Sequence, residues 1–154
     1  MTIYKKRIHL KNFDYKGPYR YFITICCFNK KPVFKASVLI KWLTNALQEK
    51  SKSYGFKTWA YCFMPDHMHL LIEGGDENSD MKQFIKSYKQ YTGFYFKKKT
   101  GKKLWQINFY EHVLRKEENT INVAKYIFDN PVRKGLVDDY QKYEYLGSFE
   151  FNIK

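Results

Sequence analysis

Residues 64–73 read Met-Pro-Asp-His-Met-His-Leu-Leu-Ile-Glu, and this run constrains the fold more than any other. Its apolar, extended character marks a strand, in which alternate side chains share a face. His67 and His69 therefore project together, with Glu73 on the same side, while Met68, Leu70 and Ile72 point the other way into a core. A strand with a packed side and a chemically armed side needs a sheet covered by helices on at least one face. Neutral imidazoles are borderline ligands for many divalent metals, and two on same-face positions can converge on one ion. The pair reads equally well as two hydrogen-bonded surface rings, because a lone His-x-His is common by chance.

The neighbouring segments supply the rest of such a fold. Tyr19–Phe28 is β-branched and aromatic, as a central strand is. From Ala36 to Tyr54, Leu39, Trp42, Leu43, Ala46 and Leu47 recur at helical spacing, and Gly55 supplies the stop. Phe56–Met64 is a second strand, and Pro65-Asp66 is a tight link that makes it a hairpin with the histidine strand. Ser79 is placed to cap a long helix running to Lys99. On a wheel of about 100° per residue, Tyr88, Tyr91 and Tyr95 fall on its core side, and Lys82, Lys86 and Lys89 form a basic stripe. That stripe fits either a phosphate backbone or a plain solvated face.

Trp105–Leu114 reads as one or two strands carrying His112, and a third helix runs from Glu117 to Asp129, with Glu117 and Glu118 at its positive end. Its apolar stripe is Ile121, Ala124, Ile127 and Phe128, and Tyr126 lies nearly opposite, so the core does not need that phenol. Pro131 disfavours a helical Asn130, which leaves the amide at a helix end. The basic pair Arg133 and Lys134 joins the lysine stripe as candidate DNA contacts. Residues 1–17 read as a basic arm and 138–154 as a polar, aromatic tail of a single domain spanning 1–154.

Charge narrows the partner. Twenty-eight Lys and Arg oppose 15 Asp and Glu, a formal +13, which points to a polyanion, nucleic acid first. No stretch reaches the roughly 18 apolar residues of a spanning helix, and the N-terminus lacks a signal peptide's apolar segment, so a cytoplasmic, nucleoid-associated protein is expected. Cys26, Cys27 and Cys62 contain no Cys-x-x-Cys and read as buried thiols.

Three blocks together carry a family resemblance: Ala60–Ile72 with the histidine pair, Trp105–Arg115 with His112, and Tyr126–Val137 with Asn130 and Pro131. In order and spacing they resemble the IS200-like transposases, and most nearly the branch of REP-associated tyrosine transposases, which are HUH single-strand endonucleases. The resemblance implies an α+β, RRM-like (ferredoxin-like) antiparallel sheet backed by helices, with the nucleophile-bearing helix near the central HUH strand. It implies His67, His69 and Asn130 as metal ligands and Tyr126 as nucleophile. His112 and Glu73 stay open, His112 as a structural ring or a ligand. It implies Mg²⁺ or Mn²⁺ as cofactor, and single-stranded DNA with hairpins, REP-like or at transposon ends, as partner of a monomer or homodimer. The position before the first histidine, often Asn in the family, is Asp66 here, a change expected to alter little. Where members carry Trp-Ser-Ser in the tail, this chain has Tyr145-Leu146-Gly147-Ser148.

The chemistry is coherent. A phenol has a pKa near 10 and is a poor nucleophile at neutral pH. A divalent ion polarises the scissile phosphate. The resemblance implies that attack gives a 5′-phosphotyrosine and a free 3′-hydroxyl, and because phosphotyrosine retains the bond energy, strand transfer from it needs no ATP. Two other classes compete: a non-catalytic RRM-like module that stacks bases on its sheet, and a metal-dependent phosphodiesterase that uses water.

Overall fold

The computed structural model describes residues 10–153. Its elements follow in the order β1 (Arg20–Cys26), α1 (Ser37–Ser53), β2 (Phe56–Met64), β3 (His67–Gly74), α2 (Met81–Thr100), β4 (Tyr110–Val113), α3 (Thr120–Phe128), α4 (Asn130–Arg133) and β5 (Leu146–Gly147). The five strands form one antiparallel sheet in the order β4-β1-β3-β2-β5, backed by helices. This is the α+β architecture expected from the sequence.

Period-two alternation sorts the side chains between two cores. Tyr21, Ile23 and Ile25 of β1 with Met68, Leu70 and Ile72 of β3 pack beneath α1 and α2. Phe22, Cys62, Met64 and Leu71 on the other face pack against Val123, Ala124, Ile127 and Phe128 of α3. Because α3 has only nine residues, it covers part of that face, and the uncovered remainder is where His67 and His69 emerge. All three cysteines are buried free thiols. Among the described residues no helix is long and apolar enough to cross a membrane.

Several sequence expectations need correction. The first nine residues of the basic arm lie outside the described residues; the part from Leu10 is docked, with Tyr15 fully buried and Gly17 N–H donating to Ser79 O at 3.0 Å. Asp80, not Ser79, caps α2 by accepting from Gln83 N–H. The Ser79 hydroxyl instead accepts from Gly75 and Asp76 N–H and donates to Gly55 O, closing the loop after β3. Tyr88 is fully buried, but Tyr91 and Tyr95 are 38% and 46% exposed. On α3, Val123 takes the core position assigned to Ile121, which is 46% exposed. Glu117 and Glu118 precede α3, whose cap is Asn119, with its side chain accepting from Ile121 and Asn122 N–H. The tail, read from the sequence only as polar and aromatic, adds β5 to the edge of β2.

Candidate active site

Register brings the polar groups together. In the β1–β3 ladder Thr24 lies opposite His69 and Cys26 opposite His67, and on the outer flank Tyr110 and His112 of β4 pair with Thr24 and Phe22. The two histidine rings stand 4.7 Å apart at 75°. Each is held at Nδ1: His67 by Asp66 Oδ1 at 2.6 Å, His69 by Thr24 Oγ1 at 2.9 Å. A His67 Nδ1–H that donates to the Asp66 carboxylate carries its lone pair on Nε2, the arrangement by which metal-ligating histidines are usually oriented. Asp66 sets the His67 ring through an Oδ1 that an Asn at this position would also offer, in keeping with the expectation that the change alters little.

The opposite wall comes from α3 and α4. With Val123, Ala124, Ile127 and Phe128 turned into the sheet, Tyr126 falls at the edge of the covered strip, half-buried, its ring 6.0 Å from Phe22, itself 5.4 Å from His69. The Arg133 guanidinium lies 3.9 Å over the Tyr126 ring and donates to Tyr126 O at 2.8 Å. Asn130 is helical after all, opening α4, because a proline in a helix's first turn lacks only an N–H that would have no intrahelical partner. Its amide is 5% exposed, its Oδ1 is 3.5 Å from Arg133 Nη2, and its Nδ2 has no hydrogen-bond partner among the described residues. The Asn130 amide lines the same cleft as the two imidazoles, and its oxygen with their two nitrogens makes a ligand set that divalent ions accept. Among the described residues no three His, Cys, Asp or Glu side chains cluster as a metal site.

Together these groups line an open cleft of about 330 Å³, to which Lys134 also contributes. His112 lines the cleft too, but its Nε2 is 2.9 and 3.0 Å from the Glu118 carboxylate oxygens. Burial pushes Glu118 up, yet the Arg115 N–H and His112 outweigh it and hold its carboxyl below the usual range. Glu73 shares the histidine face but sits at the far end of β3, accepting from Trp59 Nε1 at 2.9 Å, away from the cleft.

The lysine stripe of α2 lies across the sheet from the histidines, with the α1–α2 core between. Lys82 sits 4.7 Å over the Tyr15 ring and Lys86 is exposed. Lys89 is not a phosphate contact: its ammonium donates to Gln106 O and Ile107 O at 2.8 and 2.7 Å, and burial lowers its pKa to about 8. Thr24, Phe22 and Tyr110 are site residues absent from the sequence reading. Period two within Tyr19–Phe28 would have singled out Thr24 as the hydroxyl on a face shared with Phe22.

The profile described as "Transposase IS200 like" matches residues 17–130, from the entry into β1 through Asn130. The chain belongs to the IS200-like transposase family. It is thus an enzyme of the transposase class, and the family match spans both histidines, Tyr126 and Asn130. A Haemophilus influenzae protein provisionally named a REP-associated tyrosine transposase is 27% identical over 153 residues, covering 87% of this chain and 81% of that one. The Escherichia coli K12 REP-associated tyrosine transposase is 33% identical over 101 residues, covering 62% of this chain and 56% of its own length. The solved structure of a REP-associated tyrosine transposase bound to a REP hairpin superposes with a TM-score of 0.72 at 21% identity, over 95% of this chain and 82% of that one.

Proposed function

We propose that this IS200-like transposase cuts and transfers single-stranded DNA beside a hairpin, as a REP-associated tyrosine transposase, with Tyr126 as nucleophile. The observation that carries the reading is the meeting of Tyr126, His67, His69 and Asn130 in one cleft, under the Arg133 cation. The hairpin partner is taken from the structural relative, which is bound to a REP hairpin.

In this reading Tyr126 Oη attacks phosphorus, the P–O3′ bond breaks, and a 5′-phosphotyrosine and a free 3′-hydroxyl result. A divalent ion, Mg²⁺ or Mn²⁺, held by His67, His69 and Asn130, supplies Lewis-acid polarisation of the scissile phosphate when bound. Asp66 and Thr24 orient the two rings through Nδ1. Arg133 holds the Tyr126 backbone and ring on one side of the cleft and adds a positive charge where the phosphate's negative charge would lie. Lys134 lies beside it on the exposed rim. Phe22 supports the Tyr126 ring edge-on and so limits where the phenol can point.

The test is a denaturing gel with Mn²⁺ and a labelled single strand carrying a hairpin and its flanks. A protein–DNA adduct is expected for the native chain and for Tyr91→Phe and Tyr95→Phe, and none for Tyr126→Phe, which should retain hairpin binding. Cleaved ends without adduct would mean that water is the nucleophile, and an intact strand would leave only a binding module.

A further inference from the structure

We infer that the groove beyond His67, bordered by Lys30, Pro32, Pro65, Leu136 and Lys134, holds the nucleotide that carries the departing 3′-hydroxyl and later the incoming 3′ end in strand transfer. The inference rests on Tyr126 as nucleophile. It starts from the direction of displacement: in an in-line attack the leaving 3′ oxygen stands on the far side of phosphorus from the Tyr126 phenol. Along β1 the cleft runs from Phe22, where the Tyr126 ring sits, past Thr24 with His69, to Cys26 with His67. At about 3.3 Å per residue that is roughly 13 Å of strand, with His69 at its middle and His67 at its far end. A second groove of about 500 Å³ opens at the Cys26 end and shares His67 and Lys134 with the first. A strand that enters beside Tyr126 and crosses the histidines in line leaves into this groove.

Its walls suit a nucleotide. Pro32, Pro65 and Leu136 offer apolar surface for a base, and Leu136 is 47% exposed although it is a large aliphatic residue. Lys30 and Lys134 supply two cations for phosphates on either side. The one carboxylate in the lining, Asp66, is held at the His67 ring. Lys30 is set by an unusual turn in which Asn29 and Lys30 both have left-handed backbones, φ 55° and 51°, with Lys30 N–H donating to Cys27 O at 2.9 Å. Non-glycine residues adopt that region reluctantly, and two in succession fix the direction in which the lysine leaves the chain. In transfer the incoming 3′-hydroxyl forms a P–O3′ bond as the P–Oη bond breaks, and the proton it gives up balances the one the released phenolate takes.

The experiment isolates the covalent adduct and follows its loss against the concentration of an added oligonucleotide ending in a 3′-hydroxyl. Lys30→Glu and Leu136→Glu should each raise the half-saturating concentration about tenfold, the order of one lost stacking or phosphate contact, with the rate at saturation unchanged. Lys30→Arg should behave as the native chain. In parallel, binding of a hairpin-free tetranucleotide by fluorescence anisotropy to Tyr126→Phe protein should weaken to the same degree when Lys30→Glu is added. Native saturation behaviour and native tetranucleotide binding in both Glu variants would overturn the groove assignment while leaving Tyr126 intact. Absence of any adduct from the native chain would overturn the nucleophile and with it the groove's part in transfer, an outcome distinct from native behaviour of the Glu variants in a chain that does form the adduct.

Discussion

Asp66 shows how much of this site depends on groups one step behind the reacting ones. It and Thr24 take the Nδ1 atoms of His67 and His69. Removing such an oriented partner typically lowers metal affinity about 10- to 100-fold. Calorimetric titration with Mn²⁺ should show that loss for Asp66→Ala and for Thr24→Val, whereas Asp66→Asn, which keeps an oxygen acceptor, should stay near the native value. Equal affinity in Asp66→Ala would mean that the His67 ring is held by its packing alone. The histidine pair itself was legible because strand periodicity is local: two residues apart means one face. Tyr126 stood out by its place on the helix wheel, but that it and Thr24 meet the pair in one cleft was not legible, because strand pairing and the α3 packing bring them there and no spacing in the chain displays that.

At the level of elements, the placing of Tyr126, the proposed nucleophile, depends on how α3 begins. Arg20 ties the preceding turn by donating to Arg115 O at 2.6 Å and to Thr120 Oγ1 at 3.1 Å, and Glu118 accepts from His112 and from Arg115 N–H. Glu118→Ala breaks a charged, partly buried set and should cost about 1–3 kcal/mol in urea unfolding, and Asn119→Ala about 1 kcal/mol as a lost helix cap. If Glu118 merely decorates the surface, its variant will unfold at the native midpoint. With its pKa lowered in the fold, the Glu118 contribution is present above the ordinary carboxylate value near 4.3 and is lost as pH falls below it. Helix existence was readable from apolar spacing, but helix ends and ring burial were not. A wheel reports angle, whereas burial also needs something to cover the residue. Tyr91 turns to α1, its ring stacked on Trp42 at 6.1 Å, and Tyr95 lies edge-on to Tyr91 at 5.1 Å, so both pack on neighbouring rings and stay partly exposed.

Across the whole molecule the sheet separates two tasks: α1 and α2 build a continuous core on one face, and the short α3 leaves half of the other open for chemistry. The α2 lysines therefore belong to the face away from the cleft, and Lys82→Glu with Lys86→Glu should reduce general DNA affinity and its salt slope without changing the adduct rate at saturating strand. The same burial that makes the cores makes stability depend on alkaline pH. Burial pushes the thiols of Cys27 and Cys62 from an ordinary 9 up to about 12, so between those values the unfolded chain has released protons the folded one retains. Stability from these neutral thiols is fully present below about 9 and is lost as pH rises towards 12. Lys89 acts oppositely: burial lowers it to about 8, so the folded chain gives up that proton first and stability rises between about 8 and 10.4. Burial raises the phenols of Tyr15, Tyr21, Tyr61, Tyr88 and Tyr143 as well, and in the unfolded chain these release protons around an ordinary 10, so they add to the thiols' loss, and the urea midpoint is expected to rise slightly above pH 8 and to fall between about 9 and 10. The double variant Cys27→Ala/Cys62→Ala will start from a lower midpoint, because two core side chains are truncated. Its slope is the informative quantity: the fall between pH 9 and 10 should become shallower by the thiols' share, while a fall as steep as the native one would show that the thiols contribute nothing to it.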